Sequence, residues 1–349
     1  MSEIKKVSPL LDDVELGERF SERGKTECFY CERIETGEKL VLKHIAIPES
    51  DTKVQALILT GAAADEAAAN EYFRGLAEDL RAELAFLASV PETCGVNAWL
   101  DYQIEAREGV GFDVYALMPR KDSLRSYLQD NAITQLQALN LGLDLCDAMG
   151  NLNDDGYAYF DLKPENVFVD ARKRFTIGDL GLMQLDGLEY SAVPEEHINE
   201  FSAPELSKLI PEPARTSDQY SLGMLLFYVF NGNRLPFEDE KISAQRAVEK
   251  RLNSDILPSP QYADYELAEI ISKACSRDPA ARYASFAELK QALTLYMQRN
   301  EVSDQLLVPP LPEPIASQTE EAAEKPDAAE PGEELPEAPQ TGRAEAARA

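Results

Sequence analysis

Short apolar runs rich in strand formers, parted by polar turns, give way, about a third of the way along the chain, to apolar residues at helical spacing. From about Leu16 to Ile47 the pattern predicts strands. Cys28–Cys31 and Lys39–Ile45 are runs rich in strand formers, parted by a turn at Thr36-Gly37-Glu38. Residues 1–12 read as a loose lead-in. Pro48-Glu49-Ser50-Asp51 breaks the strand pattern, and an alanine-rich stretch from Val54 to Val90 follows. Within it Leu76, Leu80, Leu84 and Leu87 recur at helical spacing, which predicts a long amphipathic helix. Val96–Tyr102 and Val110–Met118 return to strand character around a turn at Glu108-Gly109. The first third is thus a sheet with one long helix.

After Pro119 the period becomes helical. Ser123–Leu128 is short. Thr134–Leu152 is long and puts Leu141, Leu145, Met149 and Leu152 on one face. Thr216-Ser217-Asp218 supplies capping residue types ahead of the apolar helix Tyr220–Asn231, which Gly232–Pro236 ends. Tyr265–Cys275 and Ser285–Met297 complete the helical part. Past Val302, prolines at 309, 310, 312 and 314 lead into Glu/Ala/Pro-rich text that runs to Ala349. With almost no aromatic residues, 302–349 lacks the apolar surface to fold alone and reads as a disordered acidic tail.

Composition narrows the function classes. A formal net charge of −29 over 349 residues argues against nucleic acid or an anionic membrane as the main partner, since both select basic faces. Five scattered cysteines and no signal-peptide pattern read as reduced thiols in a cytoplasmic protein. Leu222–Phe230 is the kind of apolar run present, well short of the ~20 residues needed to span a bilayer. His44 and His197 lack metal-ligand spacing.

The candidate chemistry sits in Tyr159-Phe160-Asp161-Leu162-Lys163-Pro164-Glu165-Asn166. Apolar residues on both sides tie the loop down, while a carboxylate, an ammonium and an amide converge at its tip. That set suits phosphoryl transfer: a base for a hydroxyl, a cation for a phosphate and an oxygen ligand for magnesium. A second carboxylate follows in Gly178-Asp179-Leu180-Gly181.

Five motifs in order make the chain resemble the eukaryotic-type (Hanks-type) serine/threonine protein kinase family, as a divergent member without the arginine of the HRD motif. Asp161–Asn166 resembles the catalytic loop, and Asp179-Leu180-Gly181 the metal-binding DFG motif with Leu for Phe. Ala203-Pro204-Glu205 resembles the APE motif, and Ser217–Gly223 the buried helix with its anchoring Asp218. Arg277-Asp278-Pro279 with Arg282 resembles the late motif whose arginine pairs with the APE glutamate. The resemblance implies a bilobal α+β kinase domain over 14–298. A β-rich N-lobe with one long helix (14–118) would precede a mainly helical C-lobe (119–298). It implies ATP and Mg²⁺ as cofactors and a protein as substrate.

The resemblance also assigns roles. Asp161 would be the base, Lys163 would neutralise the transferred phosphoryl group, and Asn166 and Asp179 would hold magnesium. Lys43 would grip the phosphates, paired with a helix glutamate. Glu66, Glu71, Glu78 and Glu83 compete for that place, and Glu83 fits best because it sets Leu87 one turn on, in a stack with Tyr159 and Leu180. Cys28, Val41, Met118 and Phe168 would line the adenine site.

The departures are specific. The glycine loop is degenerate, with Ser21, Arg23 and Thr26 at its glycine positions and only Gly24 nearby. Cys28, Val41 and Phe168 stand where the family has Val, Ala and Leu, and two of the swaps add volume, which would narrow the pocket. The Cys28-x-x-Cys31 pair reads as strand residues. Phe160 removes the arginine that pairs with a phosphorylated activation loop, so a phosphate on Tyr190 or Ser191 is expected to change activity little. Ile198 replaces the threonine that bridges the catalytic Asp and Lys. Active kinase, non-transferring binding scaffold and small-molecule kinase are three readings of such a chain. The kept chemical residues favour the first, the degenerate nucleotide loop the second, and the APE motif and Asp218 helix count against the third.

Overall fold

The computed structural model describes residues 9–23, 26–97, 99–178, 182–185, 193, 197–207, 212–238, 242–254 and 256–307. The N-lobe is an antiparallel sheet in the order β1-β2-β3-β5-β4. Its strands are β1 (Val14–Arg23), β2 (Thr26–Arg33), β3 (Lys39–Ile47), β4 (Asp101–Ala106) and β5 (Phe112–Pro119). β4 begins at Asp101, later than the Val96 expected. Val96 instead makes an isolated bridge to Ile177 that stitches the N-lobe to the C-lobe.

The alanine-rich stretch forms two helices, α1 (Asp51–Leu59) and α2 (Glu66–Ser89), broken around Gly61. Asp65 caps α2 by accepting the Ala68 N–H at 2.8 Å. The buried face of α2 is Ala69, Phe73, Ala77, Leu84 and Leu87, and the expected stripe is corrected at Leu76, which is 42% exposed. The small alanines let α2 lie close to the sheet, so Phe73 rather than Leu76 is the larger side chain turned inward. Asn70 of α2 accepts the Gly111 N–H at 2.8 Å and ties the helix to the β4–β5 turn.

Sheet register explains Cys28 and Cys31. Three positions apart on a strand, they face opposite sides. Cys28 packs toward the main core and Cys31 into the second cluster with Leu10, Leu11, Val14, Phe29, Leu40, Leu42, Tyr115 and Leu117. Leu10 and Leu11, expected to lie in a loose lead-in, thereby cover the outer face of the sheet.

The C-lobe is built on α5 (Ser217–Phe230), every residue of which is buried. A helix apolar all round has to be central, and α4 (Gln135–Asp154) and α7 (Tyr265–Ala274) pack on it. α8 (Phe286–Arg299) packs on α4 in turn. α3 (Leu124–Asp130) and α6 (Ala244–Leu252) lie outside these. Leu141, Leu145, Met149 and Leu152 form the buried face of α4 as its spacing predicts, and Thr134 with Gln137 closes a full capping box. Short strands complete the lobe: β6 (Asp122–Ser123), β7 (Tyr157–Ala158), β8 (Val167–Val169), β9 (Phe175–Ile177) and β10 (Met183–Gln184). β6, β8 and β9 form one small sheet, and β7 pairs with β10. The segment after α8 also packs. Leu307 is buried, and its N–H donates to Ile133 O at 2.8 Å. The start of the expected tail at 302 is therefore corrected: residues 302–307 belong to the folded body, and the stretch beyond 307 lies outside the described residues.

His44 on β3 links three strands. Its Nδ1 meets Glu27 on β2 at 3.1 Å, its Nε2 meets Asp113 on β5 at 3.0 Å, and its ring stacks on Tyr115. Burial opposes charge on His44, but the two carboxylates outweigh it and raise its pKa. Burial likewise opposes charge on Asp113, yet His44 and Arg107 hold its carboxyl at about 2. A raised histidine contributes stability below its unfolded pKa of about 6.5 and loses it as pH rises through the folded value, while the depressed carboxylates need pH above about 4. The unfolding midpoint of His44→Gln relative to the native chain is therefore expected to fall furthest near pH 6 and to converge toward it above neutrality. A gap that grows from pH 6 to 9 contradicts this.

Candidate active site

The loop Tyr159–Asn166 leaves β7, ends in a 3-10 turn at Pro164–Asn166 and enters β8. Ala158 ahead of it, Tyr159 and Phe160 at its start, and Val167 and Val169 behind it are buried. Its backbone is fixed from α5. The carboxylate of Asp218 accepts the Tyr159 N–H at 2.8 Å and the Phe160 N–H at 2.7 Å. Phe160 takes φ = 58°, a left-handed conformation that a bulky residue seldom adopts and that turns two successive N–H groups to one side. Asp218 is fully enclosed, and that burial raises its carboxyl to about 6 against the two N–H bonds. The other expected caps of α5 are also diverted. Thr216 Oγ1 donates to Pro279 O and Ser217 Oγ to Glu205 Oε1, so no side chain caps the helix.

On this base the polar groups converge. Lys163 Nζ donates to both oxygens of Asp161 at 2.6 and 2.8 Å. Asn166 Nδ2 donates to Asp161 Oδ2 at 2.8 Å and to its backbone O at 2.9 Å. Both amide hydrogens of Asn166 are thus spent on Asp161, and its carbonyl oxygen is the atom it has to offer a hard cation.

A further donor escaped the sequence reading. Asn199 Nδ2 reaches Asp161 Oδ1 at 3.0 Å, while Asn199 Oδ1 accepts the Phe201 N–H at 2.7 Å, which sets the amide's orientation. The position after Ile198 thus supplies a donor to Asp161, while Ile198 packs against the apolar core. The available signal was an amide one residue past the expected threonine.

Register brings most of the nucleotide-site candidates to one face. Cys28 on β2 stands opposite Lys43 on β3, and Lys43 opposite Ala116 on β5. Two positions away Tyr30, Val41 and Met118 align in the same way. Lys43 is 8% exposed and Phe168, on β8, is half-buried. Glu83 Oε1 accepts the Leu182 N–H at 2.8 Å, and Phe86 stacks on Tyr157 with centroids 4.4 Å apart. Both contacts dock α2 on the C-lobe. Leu87 and Tyr159 are buried, and the Tyr159 hydroxyl donates to Gly178 O. Asp179, Leu180, Tyr190 and Ser191 lie outside the described residues.

Sequence reasoning also missed an aromatic stack on that face. Phe20 stacks on Tyr30 at 4.1 Å between centroids, and the Arg120 guanidinium lies 3.9 Å from the Tyr30 ring centre. Around it β1 and β2 pair as far as Arg23 and Thr26. Backbone that the family's glycines leave for phosphate is here engaged in a ladder.

Arg282 pairs with Glu205 through two bonds of 2.7 and 2.8 Å, both side chains buried, as the late motif implies. Residues 112–294, more than half of the chain, match the model of the protein kinase domain. The chain belongs to the protein kinase family. It is 30% identical over 202 residues to the serine/threonine-protein kinase Pkn1 of Myxococcus xanthus, covering 52% of this chain and 28% of that protein. A probable serine/threonine-protein kinase of Dictyostelium discoideum is 26% identical over 184 residues, covering 52% and 20%. The human tyrosine-protein kinase TXK is 29% identical over 175 residues, covering 49% and 32%. The chain thus spans less than a third of the length of these relatives. No helix among the described residues is long and apolar enough to cross a membrane.

Asp218→Ala leaves two buried N–H groups without an acceptor, each costing about 1–3 kcal/mol. The variant is expected to lose about 3 kcal/mol or more in urea unfolding, with fast amide exchange at Tyr159 and Phe160. Unchanged exchange there would show that Asp218 does not hold the loop.

Proposed function

We propose that this kinase domain transfers the γ-phosphoryl group of ATP to serine or threonine hydroxyls of a protein. The observation that carries the reading is the convergence of Lys163, Asn166 and Asn199 on the Asp161 carboxylate. Asp161 is held by donors on both oxygens, so it presents a fixed acceptor to a substrate hydroxyl and takes its proton. Lys163, two residues on, is placed to leave Asp161 for the transferred phosphoryl oxygens. A lysine at this place resembles the serine/threonine rather than the tyrosine branch of the family. Lys43 lies across the cleft face from Cys28, fitting a cation for the α- and β-phosphates, with Glu83 as its proposed partner. Asn166 and Asp179 are the residues that would hold Mg²⁺. The carbonyl oxygen of Asn166 suits it, and the ion supplies charge neutralisation on the phosphates. Val41, Met118, Cys28 and Phe168 line the base site. The domain takes in residues 14–298 and the packed segment to 307. The substrate is a protein, and the compartment is the cytoplasm.

The pairing of β1 and β2 from Ser21 to Arg23 and Thr26 to Cys28, where the degenerate glycine loop lies, favours a second reading, a domain that binds nucleotide or a partner without transfer. Incubation of the purified chain with Mg²⁺ and γ-labelled ATP separates the two. Label incorporation that Asp179→Asn abolishes supports transfer, nucleotide binding without incorporation supports the second reading, and the absence of any nucleotide-induced thermal shift overturns the first. Asp161→Ala is expected to lower turnover by about 10²-fold or more. Asn199→Ala is expected to lower kcat about tenfold with KM for ATP nearly unchanged, because Asn199 touches Asp161 and not the base site. An equal loss on KM would count against its role.

A further inference from the structure

Gly178 and Phe168 occupy one another's space. Phe168 pairs with Thr176 across β8 and β9, and Gly178 lies two residues beyond Thr176 on the same face. A methyl group placed on Gly178 would stand 2.5 Å from Phe168 Cε2 and 2.8 Å from Cδ2. On another side it would stand 3.2 Å from Cβ of Asn97. The Phe168 ring therefore leans over bare backbone, in the volume that any side chain at 178 would fill. This alters the expectation that phenylalanine at 168 narrows the nucleotide pocket, since the added volume goes into the absent side chain of Gly178 rather than across the cleft.

The surroundings set which way the ring would move. Asn97 is 2% exposed, its N–H donates to Ile177 O at 2.6 Å, and Val96 is bridged to Ile177. That wall cannot yield. The neighbours of Phe168 in β8, Val167 and Val169, are buried in the core. Of the three residues of β8, Phe168 is the one left half-buried, so it is the side free to give. A ring displaced from Gly178 has to take another rotamer, and on the reading of this cleft as a nucleotide site that step carries it toward the base.

We propose that Gly178 and Phe168 are a matched pair that forms the floor of the base site, with Gly178 a positioning residue that keeps the ring flat beneath the purine of an adenine nucleotide. The inference rests on the reading of this cleft as a nucleotide site. Gly178 meets Asn166 through the backbone, its N–H donating to Asn166 O at 2.9 Å, a bond that a methyl group at 178 leaves in place, so the substitution acts on the ring.

The test uses the full chain and two probes, MgATP and adenosine, the latter by competition against a fluorescent ATP analogue. Gly178→Ala is expected to raise the Kd of both by at least about tenfold and by the same factor. Adding Phe168→Leu, which removes the overlap, is expected to restore both to within about threefold of the Phe168→Leu single variant. Gly178→Ala with unchanged binding overturns the proposal. So does a loss confined to MgATP, which would place the effect at the phosphates or the metal beside Asp179, and so does a double variant no better than Gly178→Ala. Should Gly178→Ala fail to fold, a double variant that folds and binds adenosine carries the same support, and one that folds without binding it is fatal. A native chain that binds neither probe sinks this inference together with the nucleotide reading, whereas a native chain that binds both while Gly178→Ala is indifferent sinks the inference alone.

Discussion

The buried carboxylate of Asp218 holds the backbone on which the site is built. It accepts two consecutive N–H groups of the Tyr159–Asn166 loop, and Phe160 keeps a left-handed φ to present them. A strained residue persists only where its surroundings over-determine it. Here the determinants are an ionisable group enclosed in the first turn of α5 and a phenyl ring with no exposure. The position of Asp161 follows from this arrangement, and the donors of Lys163, Asn166 and Asn199 then fix its carboxylate.

The same end of α5 anchors the other side of the site. Ser217 donates to Glu205, which holds Arg282, and Arg282 in turn donates to Thr216 O and Ser276 O. Glu205 lies six residues beyond Asn199, so this ion pair steadies the segment that brings Asn199 to Asp161. An ion pair so buried adds little net stability, but breaking it strands a charge. The residues that would cap the central helix are all spent on tertiary bonds, and α5 is held by burial of its whole surface instead.

Glu83 to Leu182, the Phe86–Tyr157 stack and the Val96–Ile177 bridge fix α2 and the sheet against the C-lobe. Asn70 and the β4–β5 turn brace the other end of α2. Helix placement thus depends on packing along the full length of α2, without a contribution from an arginine at position 160.

The Glu205–Arg282 pair came from the resemblance to the kinase family. The chain's own text determined the order of the main strands and helices and the loop of Asp161, Lys163 and Asn166, which rest on local period or on residue types at fixed spacing. It determined less where alanines blurred the helical face, so that Leu76 looked inward while Phe73 was buried. At the ends, the apolar Leu10, Leu11 and Leu307 find partners only across the fold. Ile198 looked like a missing hydroxyl because the text cannot show that the chain turns to present Asn199 instead. Nothing linear relates Phe168 to Gly178, whose missing side chain its ring overlies, and Phe20, Tyr30 and Arg120 meet only after three segments come together. Spacing along the chain fixes which side chains share an element face. Which faces then meet, and how much volume each leaves the other, is decided by tertiary packing among residues far apart in the chain.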